Sequence, residues 1–188
     1  MNRLNSLALV ALLLSATGYG IIQWQASQNE QPETIETELT PDFIAEALKS
    51  TIYSESGRLS HKIDAQRMEH YAELAFTQFE KPNYTLYPRG DALPWKLEAL
   101  EGTLYNNNRV VLKNRVKLMA TSPDSLIQEI NCKYLELDLN TNIISSDQTI
   151  LIQGKDFTMY GSGLIIDLNT KQMTLTEHVQ TIYKKTLS

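Results

Sequence analysis

The sequence predicts an all-β domain, a two-sheet sandwich or jelly roll open along one side, carried behind one N-terminal transmembrane helix. Three observations predict it. Apolar residues after about position 50 alternate with polar ones, as in strands with one face buried. A block of strands recurs along the chain, and one uncharged apolar run opens it.

The first element is that run, Leu4 to Ile22, with Arg3 before it. It matches the about 20 residues that cross roughly 30 Å of hydrocarbon. Trp24 follows, where an amphipathic ring suits the interface. Positive charge before the run and acid after it place the N-terminus in the cytoplasm and the remainder outside. A cleaved signal peptide is the competing reading, with Leu7 to Leu14 as its apolar core and Ala16-Thr17-Gly18 as its small residues. Both readings export the domain. The organisation is then an anchor over 1–24, an acidic linker over 25–41 and an exported β domain over 42–188. The linker carries Glu30, Glu33, Glu36 and Glu38 and almost nothing to bury.

Pro41 to Tyr53 fits either a short capped helix, with Phe43, Ala47 and Leu48 on one face, or a first strand leading to a turn at Gly57. The strand is preferred because the rest is β. Clean alternation follows at Val116-Lys117-Leu118, Lys133 to Leu139 and Ile150-Leu151-Ile152. Polar turns separate the runs at Ser54 to Gly57, Asn106 to Asn108, Asn140 to Asn142 and Asn169 to Lys171.

The repeat is the more informative signal. Asp138-Leu139-Asn140-Thr141 recurs as Asp167-Leu168-Asn169-Thr170, an offset of 29, and an earlier copy matches at 34, with Val110, Val116 and Leu118 against Ile144, Ile150 and Ile152. A copy before that places Phe76, Pro82 and Tyr84 correspondingly. Each unit opens on a small residue, Ala65, Ala99, Cys132 or Gly161, with a large one three positions later; Gly102 breaks that pattern. The three-residue spacing predicts a bulge or corner in the first strand. A unit of roughly thirty residues cannot bury its apolar face alone, so stacked copies share a core.

Charge and motif content exclude several functions. Setting Arg3 aside leaves 16 basic against 22 acidic side chains, a net of −6, which argues against nucleic acid and gives no polybasic patch for a membrane surface. Cys132 is the single cysteine, so no intrachain disulfide forms. His61, His70 and His178 stand apart from one another. Neither a phosphate-binding glycine loop nor a nucleophile elbow occurs. We therefore expect no catalysis, no cofactor and no metal.

These residues carry a resemblance. The anchor, Tyr53-Ser54-Glu55-Ser56-Gly57, Phe79-Glu80-Lys81-Pro82, Leu93-Pro94-Trp95, Ser122 to Ser125, Gly154 with Phe157, and Glu177 to Tyr183 resemble, in order and spacing, the LptC family of lipopolysaccharide export proteins and its OstA/LptA-like fold. The resemblance implies a twisted β-jelly roll with a hydrophobic groove at the inner membrane. Such a domain would take lipopolysaccharide from an ABC transporter of the LptB/LptF/LptG type and pass it to a periplasmic LptA-like bridge protein. By analogy, Ile44 and Tyr53 would face the transporter, and Met173, Val179, Thr181 and Tyr183 the bridge. Candidates for the groove lining are Phe76, Phe79, Tyr84, Leu97, Leu104, Val110, Leu118, Leu137 and Ile152, against ordinary core as the alternative. Phe79 is placed near the mouth, so Phe79→Glu is expected to abolish lipid binding without unfolding the domain. Gly57 and Gly154 are candidate structural glycines, needed for positive φ or close backbone approach. The alternative function is an adaptor that recruits partners by strand addition and never holds lipid.

Overall fold

The computed structural model describes residues 40–89 and 93–183. The 1–24 anchor and nearly all of the 25–41 linker lie outside them. Among the described residues no helix is long and apolar enough to cross a membrane.

Twelve strands follow in order among these residues. They are β1 (Phe43–Tyr53), β2 (Leu59–Tyr71), β3 (Phe76–Glu80), β4 (Asn83–Leu86), β5 (Trp95–Glu98), β6 (Glu101–Tyr105), β7 (Arg109–Ala120), β8 (Ile127–Asp138), β9 (Ile143–Ser146), β10 (Ile150–Gly154), β11 (Phe157–Asp167) and β12 (Gln172–Tyr183). The ambiguous first segment is thus a strand, as preferred. All pairings are antiparallel.

The long strands each serve two layers. The C-terminal half of β2 pairs with β3 and its N-terminal half with β4. β7 pairs with β6 and β5 in the same way, β8 with β9 and β10, and β11 with β9 and β10. One continuous sheet is therefore folded over on itself along a line through the middle of these strands.

That line is the corner expected from the three-residue spacing. Asn114 and Arg115, both at positive φ, together oppose Lys133, where the β7–β8 register slips between Lys113 and Val116. His178, at φ 49, lies in the matching slip between β11 and β12, across from Gly161. Lys81, at φ 48, makes the bend between β3 and β4, and its N–H donates to the Leu100 carbonyl. Bulges bend a sheet and sharpen its twist, and the small residues opposite leave room for it. The exception at Gly102 has a steric cause: a Cβ there would lie 2.9 Å from Pro82 Cγ and 3.1 Å from a Leu112 methyl. The proline ring occupies the place a large side chain fills in the other units.

The repeated Asp-Leu-Asn-Thr is a turn with its own cap. Asp138 Oδ1 accepts the N–H groups of Asn140 and Thr141, and Asp167 Oδ1 accepts those of Asn169 and Thr170. These bonds to the charged form hold the Asp167 carboxyl below its usual pKa.

Candidate functional site

Antiparallel partners directly opposite one another share a face, so the registers trace rows of side chains across the molecule. In the first layer one inward row runs Phe43, His70, Thr77, Leu104, Val110, Leu137, Ile144, Ile166, Met173. Beside it lie Met68, Phe79, Gly102, Leu112 and Leu135. In the second layer the inward row is Ser50, Ile63, Tyr84, Leu97, Leu118, Ile130, Ile152, Met159, Thr181. Both rows start on β1 and end on β12. The interior is thus an apolar strip running from one edge strand to the other.

Eight of the nine groove candidates lie on this inner face, by the same registers: Phe79, Tyr84, Leu97, Leu104, Val110, Leu118, Leu137 and Ile152. Phe76 does not. It pairs with Tyr71 and Tyr105 on the opposite face, with ring centroids 5.0 and 6.4 Å away, and Arg109 covers the Tyr105 ring at 4.6 Å. The offset of 34 set Phe76 against Val110, but this corner has one left-handed residue, Lys81, where β7 has two, Asn114 and Arg115, so Thr77 takes the inward place instead. Phe79 also differs from its expected place at a mouth. It is 5% exposed, edge-on to Tyr84 beside the Lys81–Pro82 bend.

The middle of the strip is filled by the chain itself. Leu97, Val110, Leu118, Leu137 and Ile152 have no exposed surface. Tyr84 is equally enclosed, its hydroxyl has no hydrogen-bond partner, and burial pushes its pKa far up. Cys132 sits against the same core at the corner, where burial raises its thiol to about 11 and leaves it unreactive near neutral pH. Toward the edges the strip opens: Phe43 is 57% exposed, while Leu48, Met159, Met173 and Leu175 are half-buried. Cavities also lie elsewhere among the described residues. One of about 710 Å³ is on the outside of the corner, among Tyr134, Glu136, Asp147 and Thr176; another of about 400 Å³ is at the rim, among Leu93, Trp95, Leu126 and Lys171.

The two edges are the other feature of the site. β1 pairs with β2 and β12 with β11, and each leaves its far side without a strand among the described residues. Ile44 and Tyr53 are exposed on β1, Ile44 on the outer face opposite Glu69. On β12, Met173 and Thr181 belong to the inward rows, and Val179 and Tyr183 are exposed. Residues that the sequence did not place in the groove are Phe43, Met159 and Leu175, whose inward direction follows from strand register alone.

The two glycines act differently. Gly57 has φ 75 with open space around it, so it serves a left-handed turn. At Gly154 a Cβ would lie 2.2 Å from the Phe157 ring, so the glycine lets that ring lie against the strand.

Comparison with known proteins adds the following. The chain is 26% identical to the lipopolysaccharide export system protein LptC of Haemophilus influenzae, covering 95% of this chain and 92% of that one. It is 24% identical to the protein of that name from Escherichia coli K12, over 85% and 83% respectively. In fold it is similar to LptH, the LptA-homologous periplasmic component of the lipopolysaccharide transport device of Pseudomonas aeruginosa. The TM-score is 0.52 at 9% identity, over 66% of this chain and 95% of LptH. The fold is therefore of the LptA-like β-jelly-roll kind. A family model described as lipopolysaccharide-assembly, LptC-related, matches residues 8–184, and the chain belongs to that family.

Proposed function

We propose that this chain, held at the inner membrane by residues 1–24, accepts lipopolysaccharide from an ABC transporter and passes it to a periplasmic LptA-like protein. The observation that carries the reading is the inward apolar strip that reaches both open edges, from Phe43 and Ser50 on β1 to Met173 and Thr181 on β12. A partner strand added at either edge would extend this strip without a break, because strand addition preserves which face points inward. Acyl chains laid along it would be withdrawn from water at about 25 cal/mol per Å² of apolar surface. Ile44 and Tyr53 would then meet the transporter, and Met173, Val179, Thr181 and Tyr183 the bridge.

The filled centre favours the second reading, an adaptor that joins partners by its edges and holds no lipid. For transfer, the two layers must part between Tyr84, Leu97 and Leu118 on one side and Val110 and Leu137 on the other. Photo-crosslinking separates the two. A benzoylphenylalanine replaces Leu104, half-buried on the inner face, with exposed Lys155 as control. A lipopolysaccharide adduct at 104 and none at 155 is expected. No adduct at 104, with partners still captured from Val179, assigns the adaptor instead.

A further inference from the structure

Among the described residues, the Tyr84 hydroxyl is the one buried side-chain polar atom with no hydrogen-bond partner. Tyr84 is 1% exposed and lies on the inward row of the second layer. Its ring stands between Ile63 and Leu97 across the sheet and lies edge-on to Phe79 of the first layer, with centroids 6.4 Å apart. A buried water needs about two to four polar partners, and these apolar neighbours offer none. An unbonded interior hydroxyl carries the full cost of its desolvation, and native interiors rarely keep one.

Packing does not account for it. At the offset of 34 that relates the units, Tyr84 corresponds to Leu118 and then to Ile152, which have no exposed surface and carry no polar atom. An aliphatic side chain thus fills the same place in the next two units. Elsewhere on the inner face polar groups find partners. His70 and Thr77 bond each other at 2.9 Å, and Ser146 donates to the Tyr134 carbonyl at 2.7 Å. The other hydroxyls of the Tyr84 row, Ser50 and Thr181, stand at its two ends, where the strip is only half-buried.

We infer that the Tyr84 hydroxyl is a lipid-binding group, which hydrogen-bonds a hydroxyl carried on an acyl chain a few carbons from its head. This rests on the reading of the inward strip as a lipid path. Depth selects the chemistry. Tyr84 stands two residues inside the end of β4 at Leu86, roughly 7 Å from the rim at about 3.3 Å per residue. Sugars and phosphates stay at the rim in water, so their oxygens do not come this far, whereas a hydroxyl borne on the chain does. A phenol both donates and accepts, so it matches a second hydroxyl in either sense. The bond also favours the parted state of the two layers. It forms only when a chain lies between them, and a ligand shifts an equilibrium only through contacts that differ between the two states.

The test uses the full chain in detergent, captured on scintillation-proximity beads, with radiolabelled 3-hydroxytetradecanoate and tetradecanoate as probes. The unaltered protein is expected to bind the hydroxylated chain about fivefold more tightly, the scale of one hydrogen bond. Tyr84→Phe is expected to bind the two chains alike. Partition of each probe into detergent cancels when the two proteins are compared. Without ligand, Tyr84→Phe should melt about 3 °C higher, because it no longer buries an unbonded hydroxyl. A lower melting temperature with the preference intact makes the tyrosine structural and overturns the inference. So does the same preference in both proteins, or none in the unaltered one. If the unaltered protein binds neither chain, the role of Tyr84 is overturned, and the lipopolysaccharide adduct at Leu104 judges lipid transfer separately. An adduct keeps transfer, and its loss removes both.

Discussion

At the residue scale, the folded environment alters two side chains in ways that can be measured. His61 pairs with Ile52 and Leu86 on the inner face, and burial lowers its pKa from 6.5. Its depressed value means the unfolded chain binds the proton more readily. The stability from His61 is therefore complete above about pH 6.5 and is lost as pH falls from there through the lower folded value. The melting temperature is expected to drop by a few degrees between pH 7.5 and 5.5, and His61→Leu should remove most of that difference. Phe79 is the second case. At 5% exposure a glutamate would be a buried, unpaired charge. The expectation of a folded Phe79→Glu variant therefore does not survive the structure. We expect it to cost about 4 kcal/mol or more and to abolish the near-ultraviolet circular dichroism of the domain. Phe79→Leu, which keeps an apolar side chain, should cost about 1 kcal/mol and stay folded.

At the scale of the element, the turns matter as much as the strands. Asn169 ties three segments: its amide donates to Thr141, and its oxygen accepts from Asn142 and from the Arg89 backbone. Asn169→Ala should lower stability by about 1–2 kcal/mol, seen as a lower urea midpoint with an unchanged slope. A change of slope instead would mean that the turn holds more of the fold than its bonds account for. The exposed ion pairs, such as Arg67 with Glu46 and Glu69, contribute little by comparison because water screens them. Edge strands of this kind usually invite aggregation. Here β1 carries Glu46 and Lys49 outward and β12 carries Glu177, which discourages unspecific pairing while leaving the backbone open to a matched strand.

At the scale of the molecule, a stack of repeats with a shared core is most protected in the middle. Residues with no exposed surface come from β5, β7, β8, β9 and β10, whereas β1 and β12 hold mostly exposed ones. Hydrogen exchange should be slowest in β7 and β8 and fastest in β1 and β12. Uniform protection would indicate a single cooperative unit in which the edges are as stable as the centre. Graded protection suits the function, because the elements that must accept a partner strand open at the lowest cost.

The sequence by itself determined the strands, their alternation, the turns and the repeat, since period-two burial and asparagine-rich turns are local properties. It also located the corner, because a bulge shows itself as three residues between apolar positions at Cys132–Leu135 and Gly161–Leu164. Family membership was legible too, in short motifs spread along the chain. Only the tertiary structure decided how many residues each corner takes, one at Lys81 against two at Asn114 and Arg115, which is why Thr77 points inward and Phe76 outward. It alone set the depth of Phe79, which depends on the Lys81–Pro82 bend. Pairing across the sheet likewise decided that Phe43, Met159 and Leu175 line the strip.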